Sequence, residues 1–221
     1  FSAQGLSPGN YYINADTGGH EADSAQVSVM AGKTASVTLT SRGIATVAGT
    51  VIDWKTHEPI AGAMCHTPIP CVGHEFGAIY VDPDMETVSD AAGHFTVSGS
   101  AGAVLVACIS DDVRGNTFTT LQPDRTTDVV VRVVRPAPAG SIDAQFAGPG
   151  PTVEAIAANG AAAKAGLQVG DQVIAVDGAS VTELDGGSAM RVITQRPPGS
   201  TAALTIQRAD ATLAIKVTVH G

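Results

Sequence analysis

The chain has 221 residues, 44% hydrophobic and 15% charged, so it carries enough apolar material for folded cores and is not a disordered polymer. Its net charge of −9, from 21 acidic and 12 basic residues, and the lack of any basic-aromatic stripe argue against nucleic acid and anionic membranes as partners. The longest apolar run, near Ala103–Ile109, is too short to cross a bilayer, so no direct membrane insertion is expected. Aromatic residues make up only 4% while glycines number 25, a balance that suits two or three small β units joined by many turns.

The first segment, Phe1–Gly43, opens with the turn Leu6-Ser7-Pro8-Gly9-Asn10. Tyr11–Ala15 reads as a strand and Asp16–Asp23 as a polar loop. Val27 and Val29, then Val37 and Leu39, alternate with polar neighbours on either side of Gly32-Lys33, which predicts a three-strand meander. A meander of this size buries little apolar area alone. The stretch GLSPGNYYINA…VSVMAGKTASVTLT resembles the second half of a carboxypeptidase regulatory-like domain, a transthyretin-like β-sandwich. The resemblance implies a fragment of a longer protein. It also implies a missing N-terminal half, or a second copy that completes the sheet by strand exchange.

Residues 44–135 repeat the pattern in full. Strands are expected at Val47–Ile52, Ile60–Cys65, Glu86–Ser89, His94–Val97, Val104–Ile109 and Thr127–Val134, with turns at Trp54–Pro59 and Asp90–Gly93. The segments VAGTVID, PIAGAMC and TVSDAAGHFTVSG resemble the same family, which implies a complete sandwich acting as a non-catalytic spacer. Arg135–Gly140, RPAPAG, is a short semi-rigid linker, because proline fixes φ and removes a donor.

Residues 136–221 form the third unit. Ser141–Phe146 and Thr152–Ala157 read as strands around Pro149-Gly150-Pro151. Ala161–Ala165 is a helical turn ended by Gly166, Gly170-Asp171 a second turn, Gln172–Val176 a strand, and Asp177-Gly178 a hairpin signal. Asp185 caps a helix over Gly186–Gln195 that presents Ala189, Val192 and Ile193 on one face and stops at Pro197-Pro198. Ala203–Arg208 and Leu213–Val219 close the unit as a hairpin. The order AAAKAGL, VGDQVIAVDG and PPGS resembles a PDZ domain of the bacterial HtrA-like type. The whole chain is thus expected to be mainly β, with transthyretin- or Ig-like sandwich units at 1–43 and 44–135 and an α+β PDZ-like domain at 136–221.

The PDZ resemblance implies a groove that takes a peptide or protein C-terminus, or an exposed strand, as one more strand. The groove residues would be Gly140, Ser141, Ile142 and Ala144 on one side and Ala189, Val192 and Ile193 on the other, with a small apolar C-terminal residue as ligand. The resemblance also implies a bacterial protein that is periplasmic, outer-membrane-associated or extracellular. It leaves open the accessory region of a secreted protease, or a spacer with an unused groove.

Other chemistry is thin. The three cysteines fit one bridge plus one leftover, and Cys65–Cys71 would staple the intervening loop, although Cys108 fits in place of either partner. Cys65, His66, Cys71 and His74 stand at spacings that also suit zinc. The acids Asp82, Asp84, Glu86 and Asp90 lack the central glycine of a calcium loop and read as a solvated segment. Asp185–Ala189, DGGSA, is not a nucleophile elbow. No phosphate-binding glycine loop or dinucleotide fingerprint is present, so no catalytic residues and no cofactor are expected.

Overall fold

The structure is a computed structural model that describes residues 1–13, 25–40, 43–67, 86–135 and 140–221. At the N-terminus, β1 (Gly9–Ile13) pairs antiparallel with β2 (Ala25–Val29), Tyr11 facing Val27. Val37 and Leu39 keep the expected alternation of half-buried and exposed residues, but residues 33–40 join no ladder. The expected three-strand meander is therefore a two-strand ribbon. Alternation marks which side chains point one way, and cannot by itself supply a neighbour for the backbone.

Seven strands make a β-sandwich: β3 (Ile44–Asp53), β4 (Met64–His66), β5 (Glu86–Val88), β6 (His94–Ser100), β7 (Gly102–Ile109), β8 (Arg114–Leu121) and β9 (Thr126–Val133). One sheet runs β6-β3-β9, with β3 and β9 parallel, and the other runs β5-β4-β7-β8. Val47, Val51, Val97, Val131 and Val133 of the first sheet pack on Cys65, Val106, Cys108 and Leu121 of the second. Valine suits this role because its branched side chain loses little χ1 freedom on a pleated surface.

Strand β8, RGNTFTTL, was not expected from the sequence, since its threonines and asparagine carry no apolar alternation. Its start is fixed by close approach. A Cβ at Gly115 would lie 2.1 Å from the Arg132 carbonyl oxygen of β9, so only glycine lets the two sheets meet at this corner. There the Arg114 and Val134 backbones exchange N–H···O bonds of 2.9 and 2.7 Å.

The disulfide is Cys65–Cys108, with Cα atoms 4.1 Å apart, and not the expected Cys65–Cys71. Cys65 and Cys108 are directly opposite in the antiparallel β4–β7 pair, and both point into the core. Local spacing favoured the short loop, whereas the strand register brings together cysteines 43 positions apart. Cys71 lies outside the described residues.

The C-terminal unit has the sheet β10-β11-β12-β14-β15, formed by Ala144–Ala147, Thr152–Ile156, Gln172–Val176, Thr201–Arg208 and Ala211–Thr218. The short β13 (Ala179–Ser180) pairs with β12. Helices α1 (Ala161–Lys164) and α2 (Gly186–Thr194) cover its core of Ile142, Val173, Leu184, Ala189, Ile193, Leu204 and Ile206. Carboxylates hold the turns. Asp171 is 1% exposed, accepts the Gln168 N–H, and takes two bonds from Arg208 at 2.6 and 2.7 Å. Burial pushes its carboxyl up, but the Arg208 guanidinium and the Gln168 N–H outweigh this and hold it below the usual carboxylate range. Asp177, at the expected hairpin, accepts from the Ala203 N–H and from Arg196.

This unit and the sandwich are packed together. Val134, just past β9, is fully buried in the C-terminal core, and Trp54 packs against that core. Arg132 of β9 pairs with Glu183 at 2.8 Å, and the Gln195 side chain donates to the Arg135 carbonyl at 3.1 Å.

Candidate functional site

The expected groove lies between β10 and α2. β10 is an end strand, hydrogen-bonded to β11 on one side only, and α2 packs alongside it. The cap places the helix as the sequence predicts, since the Asp185 carboxylate accepts the Gly187 and Ser188 N–H groups at 2.9 and 3.1 Å.

The groove is closed where α2 begins. A Cβ at Gly186 would lie 2.6 Å from the Phe146 carbonyl carbon and 2.7 Å from the Ala147 nitrogen. The first turn of α2 therefore rests on the backbone of β10, and Gly186 donates to the Gly148 carbonyl at 3.3 Å. Neighbouring strands need about 4.7–4.9 Å, so no strand fits between them at this end.

The expected groove residues are brought together, but as core. Ile142, Ala189 and Ile193 are fully buried and Val192 is 7% exposed; Ala144 is half-buried against the same cluster. A bulky side chain at Ala189 would disrupt the core rather than plug an open pocket. The apolar face of α2 was correctly read, but in an aromatic-poor unit it is needed to fill the interior. Gly140 packs on Val219, whose Cγ1 would lie 2.6 Å from an added Cβ. The Ser141 N–H is bonded to the His220 carbonyl at 2.8 Å, and the Asp143 N–H to the Ser141 hydroxyl at 3.0 Å. Of the expected groove residues, the amide of Ser141 is thus already engaged.

Beside that loop stands a polar pair that the sequence did not reveal. Asp143 accepts the Ala161 N–H at 3.0 Å and faces His220 Nε2 at 2.8 Å. The Ala161 N–H, and next the His220 ring, pull the half-buried Asp143 carboxyl below its usual range. The Gly221 carbonyl and then Asp143 raise the His220 pKa above its usual 6.5. His220 is one of six histidines in the sequence, and nothing local ties it to a residue 77 positions away.

The alternative zinc set does not assemble, because the Cys65 sulfur is in the disulfide. His66 is held below its usual pKa by burial. Cys71 and His74, like Asp82 and Asp84, lie outside the described residues. Among the described residues no group of three or more His, Cys, Asp or Glu is placed to hold a metal.

An end strand flanked by a capped helix, with AGL and GD turns between them in the chain, defines a PDZ-type module. Residues 124–219, which take in β9 of the sandwich as well as the C-terminal unit, match the family model described as PDZ domain, and the C-terminal unit is a PDZ domain. No curated protein matches the chain by sequence. The chain is similar to an HtrA-type protease, AlgW, solved with a decapeptide, at 10% identity and TM-score 0.34, covering 83% of each chain. It is similar to the minor pilin GBS52 of Streptococcus agalactiae at 17% identity and TM-score 0.33, covering 62% of this chain and 65% of that one. A streptococcal ancillary pilin matches at 10% identity and TM-score 0.32 over 96% of this chain and 72% of its own. Among the described residues no helix is long and apolar enough to cross a membrane.

Proposed function

We propose that the chain is a non-catalytic, peptide-binding and scaffolding segment of a secreted or envelope protein of bacteria. A peptide C-terminus or exposed strand adds to the free edge of β10 once α2 has moved outward. The observation that carries this reading is the end-strand position of β10 beside α2 in a PDZ domain. The closed state costs affinity, because apparent binding falls with the fraction of molecules that are open. Arg132–Glu183 and Gln195–Arg135 tie the ends of α2 to the sandwich and favour the closed state. The sandwich serves as a regulatory-like spacer, and its buried disulfide favours an oxidising compartment outside the cytoplasm.

The test is a display screen of random C-terminal peptides against the full chain, followed by calorimetry and amide-shift mapping. Hits that bind at roughly micromolar strength or weaker and shift Ala144–Ala147 and Gly186–Thr194 support the proposal. An absence of hits with both the native chain and an Arg132→Ala/Glu183→Ala variant overturns it. That outcome would favour a second reading, a structural spacer with an unused groove, for which the contact of Gly186 with β10 is the specific support. A role as the accessory region of a secreted protease would make the same groove a recruiter of substrate.

A further inference from the structure

An open cleft of about 560 Å³ lies between α1 and β15, with no residue of α2 in its walls. Lys164 of α1, Lys216 and Thr218 of β15, Asn159, and the Asp143–His220 pair line it, together with two alanines of α1 and its C-cap. Three of these side chains are cationic or become so on protonation, in a chain whose net charge is −9. The ammonium of Lys164 is close enough to act on both Asp143 and His220. Lysine ammonium, asparagine amide and threonine hydroxyl are all donors, and the His220 ring, its nitrogens engaged by Asp143 and the Gly221 carbonyl, adds positive charge when protonated. The one acid, Asp143, is already occupied by the Ala161 N–H and the His220 ring.

Backbone geometry marks the same wall. Asp143 and Asn159 both take left-handed conformations, with φ of 60° and 66°. Asp and Asn tolerate this region better than most residues, but it still costs energy, and such residues gather at binding sites. Here the left-handed Asp143 has its carboxylate within reach of both α1 and His220, beside the mouth of the cleft.

We propose that this cleft is a second recognition site, distinct from the β10–α2 groove, and that it binds an acidic segment of a partner protein through side-chain carboxylates. Donors on three sides select an anion, and the alanines leave a smooth, small-residue wall for the partner's aliphatic stems. No Phe, Tyr or Trp lines the cleft, and the His220 ring is held at its edge by Asp143 and the Gly221 carbonyl, so the cleft lacks a broad stacking platform for a nucleobase. The negative charge of the whole chain repels a polyanion while leaving a short acidic segment attracted locally. Binding strengthens as His220 gains its proton; the other ionisable side chains that line the cleft with it are Lys164, Lys216 and the carboxylate of Asp143.

The test is amide-shift titration of the full chain with a terminally blocked Ala/Glu hexapeptide. The blocked ends deny it carboxylate capture in the groove. The same peptide with Gln for Glu, and inorganic phosphate, are the controls. Shifts gathered at Asp143, Asn159, Lys164, Lys216 and Thr218, and absent with the Gln peptide, are expected. Lys164→Glu and Lys216→Glu, both surface changes, should each weaken binding by about tenfold while leaving Tm unchanged. Affinity should also fall as pH rises from about 5.5 to about 8. Equal binding of the Gln peptide, shifts confined to Ala144–Ala147 and α2, or no shift at millimolar peptide would each overturn the proposal. Saturation by phosphate alone, with no response to the Glu peptide, would reassign the cleft to a small anion.

Discussion

The sandwich ties its two inner strands together with a covalent bond, whereas the PDZ domain ties its turns down with carboxylates. In the sandwich, β4 has only three residues, and Cys65–Cys108 secures it to β7. In the PDZ domain, Asp143, Asp171, Asp177 and Asp185 each accept at least one backbone N–H at a turn or helix start. The difference follows from what each core lacks. The sandwich sheets are held by valine packing but carry two strands of only three residues, β4 and β5. The PDZ domain has a larger buried cluster, yet its many Gly turns need polar clamps to choose one conformation.

The largest expected effect breaks the covalent side of this comparison. Replacing both Cys65 and Cys108 by Ala opens a link between positions 43 apart, and loop-closure entropy sets the loss at about 4 kcal/mol. Denaturant unfolding should show this loss in sandwich signals and a much smaller change at Ile206 or Val217 in the PDZ core. Equal losses in both units would show that they unfold as one body. Alkylation of the unreduced protein should modify one of the three cysteines; modification of all three would refute the bridge.

The next effect breaks the polar side. Asp171→Asn removes the charge of a buried carboxylate and leaves the partly exposed Arg208 without its partner, and should cost about 1.5 kcal/mol. Because the Asp171 pKa is lowered on folding, its contribution is present above the ordinary carboxylate pKa. It is lost as pH falls through the depressed value. Acid unfolding of the native chain should therefore steepen at low pH, and the variant should lack that component. A cycle with Arg208→Ala separates the pair from simple desolvation; zero coupling would refute the clamp.

What could be read in advance divides along the same line. The carboxylate turns are local: Gly170-Asp171, Asp177-Gly178 and the Asp185 cap each fit within a few residues, and each was legible. The β-rich class and the PDZ order were legible for the same reason. The covalent link was not, because strand register, a tertiary property, placed Cys108 opposite Cys65. β8 was hidden by its threonines, and its position depends on Gly115 meeting the backbone of β9. The apolar stripe of α2 was visible, yet whether it lined a groove or filled the core depended on how closely Gly186 let the helix approach β10.

A smaller effect tests the contact between the two units. Glu183→Ala removes the partner of Arg132, a pair whose Glu183 side chain is 65% exposed, so stability should fall by only about 0.5 kcal/mol. If that contact holds α2 closed, affinity for a groove peptide should rise by a few fold despite the lost stability. Tighter binding in a less stable protein separates a brace from an ordinary surface pair. Lower affinity, or none gained, would mean that α2 is held by its own core alone.

The smallest effect concerns His220, which joins the carboxylate scheme through Asp143 across the ends of the PDZ domain. The ring lies 2.8 Å from Asp143 Oδ2 by Nε2 and 3.1 Å from the Gly221 carbonyl oxygen by Nδ1. Both nitrogens face oxygen acceptors, so the doubly protonated ring is favoured and the folded pKa is raised. The resulting stabilisation is full below the ordinary histidine pKa of 6.5 and is lost as pH rises through the higher folded value. An imidazole carbon–proton titration followed by NMR should place the His220 midpoint above 6.5. Asp143→Asn should lower the midpoint, and only in part, because the Gly221 carbonyl is the larger cause. A midpoint at or below 6.5 in the native chain would detach His220 from Asp143.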